Sequence, residues 1–184
     1  MSHAHGDHDG AVKFLQDTYN PKVIVGPKDW ELVARQANPY RHDIEATDGQ
    51  KVTLGDTTVT IYQTPGHTMG TISPVFDVTW RGQHHRVLEW GGTGFNFGAD
   101  FGRLDAYIAS TKKMRALVGQ QQIDVLISNH SGIDLAPAKL AELRKDPNGP
   151  NPFVLGVPAV ERALTVMGEC AMAQRDRFTL QGLK

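Results

Sequence analysis

At 184 residues the chain fits one globular domain, large enough to build a sizeable core. Its 19 Lys and Arg against 20 Asp and Glu leave a net charge of −1, so no basic excess draws it to nucleic acid or an anionic membrane. No apolar run approaches the ~20 residues of a membrane span, no signal-peptide-like apolar stretch follows Met1, and a single cysteine excludes an intrachain disulfide.

The chain opens on SHAHGDHDG, which crowds His3, His5, Asp7 and His8 into six positions. A tag or a disordered polar tail is the bland reading. Tags are usually unbroken histidine runs, however, whereas Ala4 and Gly6 separate these residues and a helical pattern starts at once. In an extended segment His3, His5 and Asp7 project to one side, and His8 breaks the alternation as the chain turns into the helix. One short loop can therefore feed two neighbouring metal positions. Each still needs ligands from distant sequence, because zinc takes at least three protein ligands.

Ala11, Leu15 and Tyr19 mark a short helix ending near Asn20-Pro21. KVIVG reads as a buried strand and KDWELVARQ as a second helix, with Asp29 at its N-cap. From Ile44 to Leu88 the signal turns β. KVTLGDTTVTIYQT holds two strands around Gly55-Asp56, and ISPVFDVTWRGQHHRVLEW a hairpin turning at Arg81-Gly82-Gln83. Between them, TPGHTMGT puts His67 just after a strand. Helical periodicity returns from Leu104 to Val118, closed by Gly119, with Asp100 and Asp105 capping or decorating it. IDVLIS is a strand delivering His130, and KDPNGPNPFVLGVP is a loop by composition. A final helix carries Pro158 in its first turn, with Val160, Ala163, Leu164, Met167, Cys170 and Ala171 on one apolar face, so Cys170 is expected as a buried structural thiol. Alternating strands and helices argue for an α/β layered architecture.

His67 and His130 stand at strand ends, where a rigid support holds side chains beside a loop. His42, His84 and His85 have no motif around them, and His84 and His85, near a predicted hairpin turn, read as surface residues.

Three elements in this order, His-x-His-x-Asp-His at 3–8, Thr-Pro-Gly-His-Thr at 64–68 and the strand-terminal His130, resemble the metallo-β-lactamase fold superfamily. FGRL before a helix and PNPF before the last one look most like the third subclass of metallo-β-lactamases. The resemblance implies a single domain over 1–184 with an αββα sandwich. It implies one or two zinc ions, with His3, His5 and His67 on the first and Asp7, His8 and His130 on the second. It also implies a hydrolase in which zinc supplies hydroxide to a carbonyl carbon while Asp7 orients the nucleophile and helps shuttle its proton. β-Lactams lead the small-molecule substrates; thioesters, lactones and phosphoesters are alternatives, as is a non-catalytic metal-binding remnant. Ser131, Thr93 and Asn96 face the substrate by analogy. If the chain follows true metallo-β-lactamases, it is periplasmic or secreted.

Two departures stand out. Gly91-Gly92-Thr93 occupies the place where many superfamily hydrolases carry a bridging Asp, so the second metal is expected to bind more weakly. Only Met1 and Ser2 precede the histidine loop, where the family has several strands. An N-terminally incomplete sheet, with an open edge and a tendency to form homo-oligomers, is expected.

Overall fold

The computed structural model describes residues 1–183. Five strands form the main sheet in the order of the sequence: β3 (Gln50–Leu54), β4 (Thr57–Gln63), β5 (Ile72–Trp80), β6 (Gln83–Trp90) and β7 (Val125–Ser128). All neighbours are antiparallel except β6 and β7, which run parallel and are joined by the long helix α4 (Phe101–Gln121). The β5–β6 turn falls on Arg81 and Gly82, both at positive φ (51° and 79°), the twist that a two-residue hairpin demands. Consequently β4, β6 and β7 point the same way. Their C-terminal ends meet at one edge, and that edge carries the candidate site.

On one face of the sheet, Tyr62, Val75, Leu88 and Trp90 pack against Tyr107, Met114 and Val118 of α4 and against Val160, Leu164 and Ala171 of α6 (Val157–Leu180). Leu88 and Trp90 sit two apart, the spacing that keeps side chains on one face of a strand. The other side holds α1 (Gly6–Asp9), α2 (Val12–Tyr19), α3 (Trp30–Val33) and the two-stranded parallel pair β1 (Ile24–Val25) and β2 (Ile44–Glu45). Ala46, Ile61 and Ile72, backed by Ile24, Val52 and Val59, join this half to the sheet. The order is helix, sheet, small sheet, helix. It is an αββα layering whose second sheet has two strands.

Several expectations shift. The strand in KVIVG shrinks to Ile24–Val25, and the helix in KDWELVARQ shrinks to a 3-10 turn at Pro27–Asp29 followed by one turn of α3. Asp29 caps no helix, because its carboxylate is engaged elsewhere. α4 runs through Gly119 and ends on Gln122 in the left-handed region (φ 55°), so Gly119 is interior. Cys170 is exposed: Leu164, Gly168 and Ala171 hold the buried stripe, and 170 falls off it at 100° per residue. A helix that the sequence reading did not anticipate, α5 (Ala136–Lys145), follows His130 and has no fully buried residue.

Between α2, β1 and the sheet runs an apolar groove of about 630 Å³, lined by Leu15, Val52, Val59, Ile61 and Ile72, with Glu89 among them.

Candidate metal centre

Four segments converge at the sheet edge. Residues 2–8 lie along it, anchored by the Ile72 N–H donating to the Ser2 carbonyl (2.9 Å). Thr64–Gly70 leaves the end of β4, Gly91–Gly94 leaves β6, and Asn129–His130 leaves β7. The turn at Gly6–Asp9 is what splits the histidine motif. His3 and His5 stay on the extended side, while Asp7 and His8 ride one turn of helix in a second direction.

The structure brings His3, His5 and His67 together, and separately Asp7, His8 and His130, each triad with its candidate ligand atoms within 4.8 Å of one another. His5 Nδ1 lies 3.1 Å from His67 Nε2, and His8 Nε2 lies 3.1 Å from His130 Nε2. The rings of His3 and His8 are 4.2 Å apart, so the triads adjoin. His3 and His67 are 0% and 3% exposed, whereas the side chains of His130 and Asp7 are 41% and 61% exposed. The first triad is closed in and the second faces solvent.

Backbone carbonyls fix the rings. His3 Nδ1–H donates to the Gly91 carbonyl (2.8 Å) and His67 Nδ1–H to that of Gly94 (3.1 Å), which leaves both Nε2 lone pairs pointing at the site. Burial, reinforced by the neighbouring imidazoles, lowers the His3 pKa to about 3, so the ring is neutral. Burial likewise lowers His67. Burial raises Asp7, but its backbone hydrogen bond and the imidazoles of His8 and His130 outweigh that and hold it below the ordinary carboxylate value.

One atom tests the fit to a cation. His3 Nε2 is buried and has no hydrogen-bond partner among the described residues. A buried lone pair with no donor is costly, by about 1–3 kcal/mol, and a cation shared with His5 and His67 removes that cost. Three neutral imidazoles form a recurrent zinc donor set, and two imidazoles with a carboxylate suit a second divalent ion. No carboxylate stands at Gly91–Thr93 to join the two.

Asp29, which the sequence suggests as a helix N-cap, instead ties the loops of the first triad together. It is 1% exposed and accepts hydrogen bonds from Ala4 N (2.8 Å), Thr68 Oγ1 (2.8 Å) and Gly70 N (2.8 Å). Ala4 lies between His3 and His5, and Thr68 follows His67, so one carboxylate ties both ligand loops together. Asn129 was also missed; its side-chain amide donates to the Gly91 carbonyl (2.7 Å), the group that orients His3. Neither carries a local signal, since both partners lie far away in sequence.

Among the analogy-based positions, Thr93 Oγ1 lies 3.3 Å from Ser128 Oγ, while Ser131 and Asn96 are solvent-exposed. Asp100 does cap α4, accepting from Arg103 N (3.0 Å). The remaining histidines lie apart from both triads. His42 stacks on Trp30 at 4.0 Å and His84 is exposed. His85 is no free surface residue, because its Nδ1 bonds the Asp124 carboxylate at 2.6 Å.

Residues 1–79 match the family model described as the metallo-beta-lactamase superfamily. Over 77 residues the chain is 35% identical to hydroxyacylglutathione hydrolase of Rhodopseudomonas palustris and 34% identical to that of Xanthomonas euvesicatoria. These stretches are 42% of this chain, which spans 28% of the length of those curated relatives. Among solved structures, BJP-1, a subclass B3 metallo-beta-lactamase of Bradyrhizobium japonicum, superposes with a TM-score of 0.82 at 27% identity, over 98% of this chain and 72% of that one. FEZ-1 from Legionella gormanii superposes with a TM-score of 0.79 at 21% identity, over 96% and 72%.

Proposed function

We propose that this chain, which has the fold of the metallo-β-lactamase superfamily and is most like its B3 lactamases, is a zinc-dependent hydrolase of carbonyl substrates, with β-lactam amides first among them. The observation that carries the reading is the partnerless, buried Nε2 of His3, grouped with the ring nitrogens of His5 and His67. Zinc, when bound, lowers the pKa of an attached water to about 7 and polarises a carbonyl oxygen.

The chain's own groups divide the remaining work. The Gly91 and Gly94 carbonyls hold His3 and His67 in the tautomer that presents Nε2. Asp7, ionised and solvent-facing, lies 3.5 Å from His8 Nε2 and 3.7 Å from His130 Nε2, where it can orient an attacking water and accept its proton. Burial of His3 and His67 keeps bulk water from competing for their nitrogens.

The absence of a carboxylate at Gly91–Thr93 favours the lactam reading over the thioester one. The 35% identity to a hydroxyacylglutathione hydrolase favours a thioester substrate as the second reading. A chromogenic cephalosporin and an α-hydroxyacyl thioester, assayed with added zinc and with chelator, distinguish them. We expect chelator-sensitive cephalosporin hydrolysis. Metal analysis is expected to find about one tightly held zinc per chain, lost in His67→Ala, with the exposed triad filling only at higher zinc. No zinc in the purified protein, with His67→Ala unchanged in uptake and stability, overturns the proposal.

A further inference from the structure

Next to the strand end that delivers His130, and lined in part by Thr93 and Ser128, lies a cavity of about 380 Å³. Its walls are Trp90 and Leu126 from the sheet, Ala163, Val166 and Met167 from α6, and Leu155. The size falls within the range of about 300–1,000 Å³ typical of small-molecule sites. Two observations tie it to the candidate site. Thr93 and Ser128 line the cavity, and Ser128 Oγ accepts the backbone N–H of His130 (3.1 Å), a residue of the solvent-facing triad.

The polar groups in its wall are mostly committed. The Asp134 carboxylate accepts from Ser128 N and Ala136 N, both at 2.9 Å. The Lys139 ammonium rests 5.1 Å from the centre of the Phe153 ring and has no carboxylate partner among the described residues. The cavity is thus an apolar slot whose wall carries one carboxylate and one ammonium. Its outer rim keeps Ile133 and Val166 64% and 56% exposed, an apolar surface left open to solvent.

We propose that this cavity receives an apolar alkyl or aryl arm of the acyl substrate, so that the side chains of Ala163, Val166 and Met167 set acyl specificity. This rests on the hydrolase reading above, and it extends it to a substrate class: carbonyl compounds with an extended apolar arm.

Binding can be read without turnover. Decanoate is titrated calorimetrically into metal-free protein, beside decyltrimethylammonium, for wild type, Ala163→Phe and Val166→Trp. The first variant fills the slot from its floor. The second does so from an exposed rim position that tolerates substitution. We expect saturable binding of both amphiphiles, weakened at least tenfold in both variants. Binding that is absent or unchanged in the variants overturns the proposal, and unchanged binding assigns the amphiphile to the groove beneath α2 instead. In parallel, the kcat/KM ratio for octanoyl over acetyl thioester is expected to exceed ten in wild type and to fall toward one in Val166→Trp. An equal ratio in both proteins overturns it. Absence of all turnover sinks the hydrolase reading, and the calorimetry still decides the cavity.

Discussion

Two carboxylates show how burial alone leaves a group's role open. Asp29 is inside the protein with no salt bridge among the described residues, and three N–H or O–H donors take the place of water. Asp29→Ala strands two buried backbone donors, those of Ala4 and Gly70, at about 1–3 kcal/mol each. We expect a loss of several kcal/mol, read as a fall of about 10 °C or more in Tm for a chain of this length. Glu89 is the opposite case. It is half-buried in the apolar groove, accepts no hydrogen bond among the described residues, and burial raises its pKa, with the Met1 amino group pulling the other way. A raised carboxylate pKa favours the protonated form in the folded state. The associated stability is therefore full below the unfolded value of about 4.3 and is lost as pH rises through the folded value. Glu89→Gln is expected to raise Tm at pH 7 by a few degrees, with the gain vanishing near pH 4. A gain independent of pH contradicts the assignment.

At the scale of elements, the contact between α4 and α6 depends on a glycine. A Cβ on Gly168 meets Thr111 Oγ1 at 2.7 Å, so the two helices approach closely there. Gly168→Leu forces them apart and is expected to cost about 1–3 kcal/mol in chemical denaturation, the usual penalty of overpacking. Cys170→Ser, on the exposed side of the same helix, is expected to change stability by less than about 0.5 kcal/mol. The pair also shows where the sequence is legible. The hairpin at Arg81-Gly82, the strands around Gly55 and the start of α6 at Pro158 all follow from local period and turn chemistry. The apolar stripe of α6 misled at Cys170, because a small residue such as Gly168 can own the buried face without looking hydrophobic. The short β1 and α3 were overread, since their buried side chains serve loops held by long-range hydrogen bonds rather than regular elements. His3, His5, Asp7, His8, His67 and His130 stood out as candidate ligands by their spacing and strand-end positions, and their division into two sets came from the family resemblance. Asp29 and Asn129 were not, because what they hold lies 25 to 41 and 38 residues away.

For the whole molecule, the groove beneath α2 matters most. Leu15 remains 43% exposed at its rim, and β1 and β2 pair only with each other among the described residues. Open strand edges beside apolar surface favour association between copies. Burying several hundred Å² of such surface is worth about 25 cal/mol per Å² before the costs of association. Light scattering at micromolar concentration is expected to show species larger than a monomer. A compact monomer that melts cooperatively contradicts this.

The glycines around His67 set a rhythm for the molecule's breathing. A Cβ on Gly26 meets the Gly70 carbonyl at 1.8 Å, one on Gly91 meets that of Ile72 at 1.8 Å, and one on Gly92 meets the His67 Cβ at 2.5 Å. Backbone lies on backbone there, with Asp29 bonded through the middle, so no segment can swing out without dismantling the others. In hydrogen exchange, the amides of Ala4, Gly70 and Gly91 should open only when the whole domain opens. Those of residues 131–150, on the far side of His130, should exchange through cheap local excursions. The molecule then has a stationary wall and a pliant one, and any reshaping around an incoming molecule belongs to the pliant side.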